Sequence, residues 1–135
     1  MTKKTIWVVD DDVIYQIIAN KIIKRSELFT NVQSFVNGKL AMDMLQTAVE
    51  KENETPSEVP DVILLDINMP VMDGWEFMLK MEYIKTICNK NIHIYIVSSS
   101  IAVEDKTKAK TYADILGYLS KPLTLVDLEL IAAHE

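Results

Sequence analysis

Four short apolar runs punctuate the chain, each rich in β-branched or aromatic residues: Ile6 to Val9, Val62 to Leu65, Ile92 to Val97 and Ile115 to Leu119. Bounded by charged or turn-forming residues, they are too short for ordinary helices and read as strands. A weaker fifth candidate, Val32 to Val36, sits between the first two. The stretches between carry helical spacing instead. Ile14, Ile17, Ile18 and Ile22 recur at three and four residues, as do Leu40, Met44, Leu45 and Ala48, and then Phe77, Met78, Met81 and Ile84. Ala109 and Ala113 mark a shorter fourth helix, and Leu125, Leu128 and Ile131 a fifth. Strand and helix thus alternate five times. Parallel strands joined through helices need right-handed crossovers, so the pattern predicts an α/β domain whose parallel sheet is covered on both faces.

How the strong runs end is more informative than the runs themselves, because in an open parallel sheet ligands collect outside the carboxyl ends of the strands. The first run ends in Asp10, Asp11 and Asp12, the third strand in Asp66, the fourth in Ser98, Ser99 and Ser100, and the fifth in Ser120 and Lys121. Side by side, such strands bring carboxylates, a hydroxyl and an ammonium to one rim. Crowded carboxylates repel and have their pKa values raised unless a cation balances them. An oxygen-only donor set suits a hard divalent ion, magnesium above all. A carboxylate beside magnesium can act as a nucleophile toward a phosphoryl donor, with a lysine offsetting charge on the transferred oxygens. Asp66, the lone acid closing a fully apolar strand, is the best nucleophile candidate, and Asp10 and Asp11 suit the metal. Ser98 and Lys121 are placed to meet phosphoryl oxygens. Taken singly, each residue has a plainer reading as a helix cap, loop hydroxyl or solvated lysine, and Asp11 or Asp12 is expected to cap the next helix as well. One polar group per central strand, all at the same end, outweighs those readings.

Composition narrows the remaining choices. A chain of 135 residues, about half apolar, suits one domain with its own core. With 14 Lys and Arg against 20 Asp and Glu, the net charge of −6 argues against a nucleic-acid partner, which needs clustered basic residues. No apolar run approaches the roughly 18 to 20 residues that span a bilayer, and no signal-peptide segment opens the chain; the expectation is a cytoplasmic protein. Cys88 alone cannot form a disulfide within the chain, and His93 and His134 are too few for a zinc site. The segment from Val49 to Pro60, with Glu50, Glu52, Glu54 and Glu58, reads as an exposed acidic loop rather than a second domain. Beyond Pro122 there is sequence for one short helix. The expectation is therefore a single domain over residues 1–135, with no output domain. The strand-end carboxylates, Lys121 and the acidic segment together account for the whole net charge.

These residues resemble the receiver domain of two-component response regulators, in its chemotaxis-type single-domain form. The matching pieces are Val8-Val9-Asp10-Asp11-Asp12, Leu64-Leu65-Asp66-Ile67-Asn68-Met69-Pro70-Val71-Met72-Asp73-Gly74, Val97-Ser98 and Gly117-Tyr118-Leu119-Ser120-Lys121-Pro122. The stretch around Asp66 is highly specific, and the pieces run through essentially the whole chain. The resemblance implies a flavodoxin-like, doubly wound (βα)5 fold with strand order 2-1-3-4-5. It implies that Asp66 is the phosphoacceptor, that Asp10, Asp11, Asp66 and the backbone carbonyl of Asn68 hold Mg2+, and that Ser98 and Lys121 meet the phosphoryl group. Tyr118 matches the aromatic that turns inward when that hydroxyl moves. A cis Lys121–Pro122 peptide is implied too, and Gly74 fits a turn needing positive φ. Ser98 stands where Thr is commoner. Asn68 and Ser100 occupy places that tune phosphate lifetime in such proteins. The acidic connection from Val49 is longer than in compact members and offers a place for partner contact.

The implied function is a stand-alone response regulator, a phosphoacceptor signalling domain rather than an enzyme. It would take a phosphoryl group from a sensor histidine kinase or histidine phosphotransfer protein and then bind a protein target through its fourth helix, fifth strand and fifth helix. Neither nucleic acid nor membrane is expected as a partner. Two competing classes remain. A phosphorylation-independent interaction module of this kind usually lacks one of the acids or the lysine, all present here. An aspartyl phosphohydrolase typically has a second acid two residues after its nucleophile, where this chain has Asn68, which cannot donate a proton in that way. Cys88, His93, His134 and the methionines read as structural residues, Trp7 as core and Trp75 as partly exposed.

Overall fold

The computed structural model describes residues 4–99 and 102–134. Across them run β1 (Thr5–Val9), α1 (Val13–Ser26), β2 (Asn31–Phe35), α2 (Gly38–Glu50), β3 (Val62–Leu65), α3 (Gly74–Ile87), β4 (His93–Ser98), α4 (Val103–Ala109), β5 (Ile115–Ser120) and α5 (Leu125–Ala133). All strand pairs are parallel, in the order β2-β1-β3-β4-β5. That is the doubly wound, flavodoxin-like arrangement implied by the family resemblance.

Side-chain alternation along the strands divides the core into two. Ile6, Val8, Val62, Leu64, Tyr95 and Val97 face one way and pack with residues of α1 and α5, among them Ala19, Ile23, Leu128 and Ile131. Trp7, Val9, Ile63, Leu65, Ile94 and Ile96 face the other way, onto α2 and α3. The central strands β1 and β3 are buried along their whole length, which is why they read as unbroken apolar runs. β2 is an edge strand, and its mixed polarity explains its weak signal.

Helix starts follow local chemistry. The Asp12 side chain accepts the backbone N–H groups of Ile14 and Tyr15 at the start of α1, and Asn37 accepts that of Leu40 at the start of α2. Asp73 with Glu76, and Thr124 with Asp127, form reciprocal capping boxes on α3 and α5.

Three expectations are corrected. First, the α1 stripe of Ile14, Ile17 and Ile18 is exposed, and the buried face is Tyr15, Gln16, Ala19 and Ile23. Likewise Leu40, Met44 and Leu125 are exposed, and Ala113 lies beyond the end of α4. Apolar residues cover more than one face of α1, so spacing alone left its rotation open. Second, Gly74 does not adopt positive φ; the left-handed residue of that loop is Val71, at φ 72°. Glycine is required at 74 by crowding instead, because a Cβ there would lie 2.7 Å from the Asp66 carbonyl oxygen and 2.9 Å from Ile67 Cα.

Third, the acidic segment is not simply an exposed loop. α2 continues to Glu50, a 3-10 turn covers Pro56–Glu58, and Glu52 is buried. Its carboxylate accepts the backbone N–H groups of Asn89 at 2.9 Å and Lys90 at 3.1 Å. Lys90 in turn donates to the carbonyls of Val59 and Pro56 and pairs with Asp61 at 3.4 Å. The segment is thus stapled to the loop entering β4, at the amino-terminal rim of the sheet and away from Asp66. His93 and His134, far apart in sequence, meet edge to face with centroids 5.9 Å apart.

Candidate functional site

The strands end in register. Val9 pairs with Leu65, Leu65 with Ile96, and Ser98 with Ser120, so the residues that follow emerge along one rim. Backbone bonds continue the alignment past the strands: Asp66 N–H donates to the Val9 carbonyl at 2.9 Å, and Lys121 N–H to the Ser98 carbonyl at 3.0 Å. The turn after β1 is clamped by Gln16, a buried residue that the sequence patterns did not single out. Its Nε2 lies 3.0 to 3.1 Å from the carbonyls of Val8, Asp10 and Phe35 and ties β1 to β2 at the point where Asp10 leaves the sheet. A lone glutamine inside an amphipathic pattern gives no sequence signal for this role.

Asp10 and Asp66 are buried and Asp11 is exposed. One carboxylate oxygen from each lies within 4.8 Å of the others. Asp10 Oδ1 accepts the Asp12 backbone N–H at 2.9 Å, and Oδ2 forms an ion pair with Lys121 Nζ at 2.7 Å. Burial, then the neighbouring Asp10 charge, pushes the Asp66 carboxyl up to about 6, while the Lys121 ammonium and a backbone hydrogen bond from Asn68 oppose the rise. Among the described residues, three carboxylates against one ammonium leave the pocket short of positive charge. With oxygen-only donors at this spacing, the residues fit a hard divalent cation such as magnesium.

Ser98 is buried at the end of β4, and Asn68 is exposed two residues beyond Asp66. Tyr118 is half-buried in β5, packed against the core on the α2/α3 face, with Lys106 Nζ 5.5 Å from its ring centroid. Ser100 lies outside the described residues. The Lys121–Pro122 peptide is cis. The contacts of two aromatic side chains, Tyr15 and Trp75, were not legible in the sequence. Lys121 Nζ sits 4.5 Å from the Tyr15 ring centroid, and Trp75 Nε1 donates to Asp105 at 3.2 Å while its ring stacks on Tyr112.

Comparison with known proteins gives the family of the chain. Residues 6–133 match the response regulator receiver domain, and the chain belongs to that family. Response regulator Rcp1 of Synechocystis sp. is 30% identical over 125 residues, covering 93% of this chain and 81% of Rcp1. A protein-glutamate methylesterase/protein-glutamine glutaminase of Treponema pallidum is 29% identical over 94 residues, 70% of this chain; the match spans only 20% of that larger protein. Among solved structures, a two component response regulator from Cytophaga hutchinsonii superposes with a TM-score of 0.83 at 27% identity, covering 99% of this chain and all of its own. The receiver domain of the Arabidopsis thaliana histidine kinase CKI1, crystallised with Mg2+, has the same fold, with a TM-score of 0.83 at 24% identity over 98% of this chain and 92% of its own. Among the described residues no helix is long and apolar enough to cross a membrane.

Proposed function

We propose that this chain is a response-regulator receiver that accepts a phosphoryl group on Asp66 from the phosphohistidine of a histidine kinase or phosphotransfer protein. The observation that carries this reading is the convergence of the Asp10, Asp11 and Asp66 carboxylates within 4.8 Å, with Lys121 paired to Asp10. Asp10, Asp11, Asp66 and the Asn68 backbone carbonyl would hold Mg2+, which supplies positive charge to offset that on the transferred phosphoryl oxygens. In the transfer, an Asp66 carboxylate oxygen forms the new bond to phosphorus as the phosphorus–nitrogen bond of phosphohistidine breaks, and the electron pair returns to the imidazole. Lys121 pairs with one phosphoryl oxygen and Ser98 donates to another.

The readout in this proposal is the surface of α4, β5 and α5. Tyr118 lies on β5 within it and Ser98 on the adjoining β4, and Val103, Leu116, Leu125, Val126 and Leu130 are exposed there. Exposed apolar residues on three adjoining elements suit a protein target rather than nucleic acid. The reading is tested by intact mass after incubation with phosphoramidate and magnesium. One phosphoryl group is expected on the wild type and none on Asp66→Asn; an unchanged wild-type mass, or equal labelling of the variant, would overturn it.

A further inference from the structure

We propose that Tyr15 is a positioning residue for Lys121, its ring face keeping the ammonium at the pocket when Asp10 is engaged by a divalent cation. The inference rests on the reading of this pocket as a phosphoryl-acceptor site.

Among the described residues Lys121 has two holds of different character. Its Nζ lies 2.7 Å from Asp10 Oδ2 and 4.5 Å from the Tyr15 ring centroid. The first is an ion pair to a carboxylate that a hard cation also seeks, so the two compete. The second is an attraction to the negative face of an aromatic ring, which a hard, hydrated divalent cation does not contest for its ligands. When the carboxylate is taken, the ring still holds the charge near the place where phosphoryl oxygens arrive.

Tyr15 is well fixed for this task. It stands in the first turn of α1, where the Asp12 carboxylate caps its backbone N–H at 3.1 Å. Its side chain is buried in the core on the α1/α5 face, with Leu123 and Leu128 in the same cluster. Lys121 is itself largely shielded, with 19% of its side chain exposed, so the contact is worth more than at an open surface. Among the described residues the buried Tyr15 hydroxyl has no hydrogen-bond partner, which costs stability and leaves the ring as the useful part of the side chain.

A double-mutant cycle with phosphoramidate and magnesium tests the proposal. Tyr15→Phe keeps the ring and is expected to label within about twofold of wild type, whereas Tyr15→Leu is expected to label roughly three- to tenfold more slowly. In a Lys121→Ala background, Tyr15→Leu should cause no further slowing. Equal slowing in both backgrounds would make Tyr15 merely structural, and an unslowed Tyr15→Leu would also overturn the proposal. A second measurement does not depend on chemistry or on the Leu variant. In the NMR spectrum, the Lys121 Cε protons should be shifted upfield by the ring in wild type and Tyr15→Phe, with and without magnesium; an ordinary shift in the magnesium-loaded wild type refutes the proposal. If the wild type takes up no phosphoryl group, the reading of the pocket fails, and this shift still decides whether the ring holds Lys121.

Discussion

The Lys121 ammonium is paired with the Asp10 carboxylate at 2.7 Å, so the cation proposed for the phosphoryl oxygens occupies a group proposed for the metal. Metal binding must break or share that pair. Lys121→Met is therefore expected to bind magnesium more tightly than wild type, by roughly three- to tenfold, the scale of a close charge pair in a partly buried site. Titration of the metal-free proteins checks this, and equal or weaker affinity in the variant would show that the ammonium does not compete.

Asp66 links the pocket to pH. Its folded-state carboxyl is raised to about 6, above the roughly 3.9 of an unfolded aspartate. Between these values the native state holds more protons than the unfolded one, so this group makes stability fall as pH rises, and the penalty is complete above pH 6. In metal-free protein at pH 8, Asp66→Asn should be more stable by about 1 to 3 kcal/mol, with the two curves converging below pH 4. Denaturant melts across this range, repeated with saturating magnesium, should show the advantage vanish when the cation is present.

The loop after Asp66 carries two opposite backbone constraints. Gly74→Ala forces a methyl group against the Asp66 carbonyl and should destabilise the fold by about 1 to 3 kcal/mol. Val71 is exposed and left-handed, a conformation that β-branched residues resist. Val71→Asn should therefore stabilise by up to about 1 kcal/mol. Equilibrium unfolding of the two variants should move in opposite directions.

At the other rim, Glu52→Ala leaves two backbone N–H groups without their carboxylate acceptor. A loss of about 2 to 3 kcal/mol is expected in the same unfolding assay. The rate of labelling by phosphoramidate should be unchanged, because this staple lies at the amino-terminal end of the sheet. A slowed rate would link the two rims.

The exposed apolar face of α1, with Val13, Ile14, Ile17 and Ile18, begins two residues after Asp11 of the acidic pocket. If a donor protein seats there, Ile14→Glu combined with Ile17→Glu should lower transfer from a histidine-phosphorylated protein at least tenfold, since two buried aliphatic contacts are each worth about 1.5 to 3 kcal/mol. Labelling by phosphoramidate should be retained, and equal loss with both donors would place the effect in the pocket.

The sequence by itself determined the alternation of strands and helices and the end of the sheet where chemistry gathers. The central parallel strands are buried and so apolar throughout, and the acids and serine that follow them stand out as the first polar residues past each run, with Lys121 just beyond Ser120 on the fifth. Parallel order then places them on one rim, and Asp10, Asp11 and Asp66 meet there. Only the tertiary structure decided which face α1 buries, that Gly74 answers to crowding rather than to positive φ, that Glu52 anchors its segment, and that Lys121 rests on Tyr15. The reason is physical. Spacing along one element reports its period, but its rotation and the partners of its buried polar groups are set by what packs against it, and those neighbours come from distant parts of the chain.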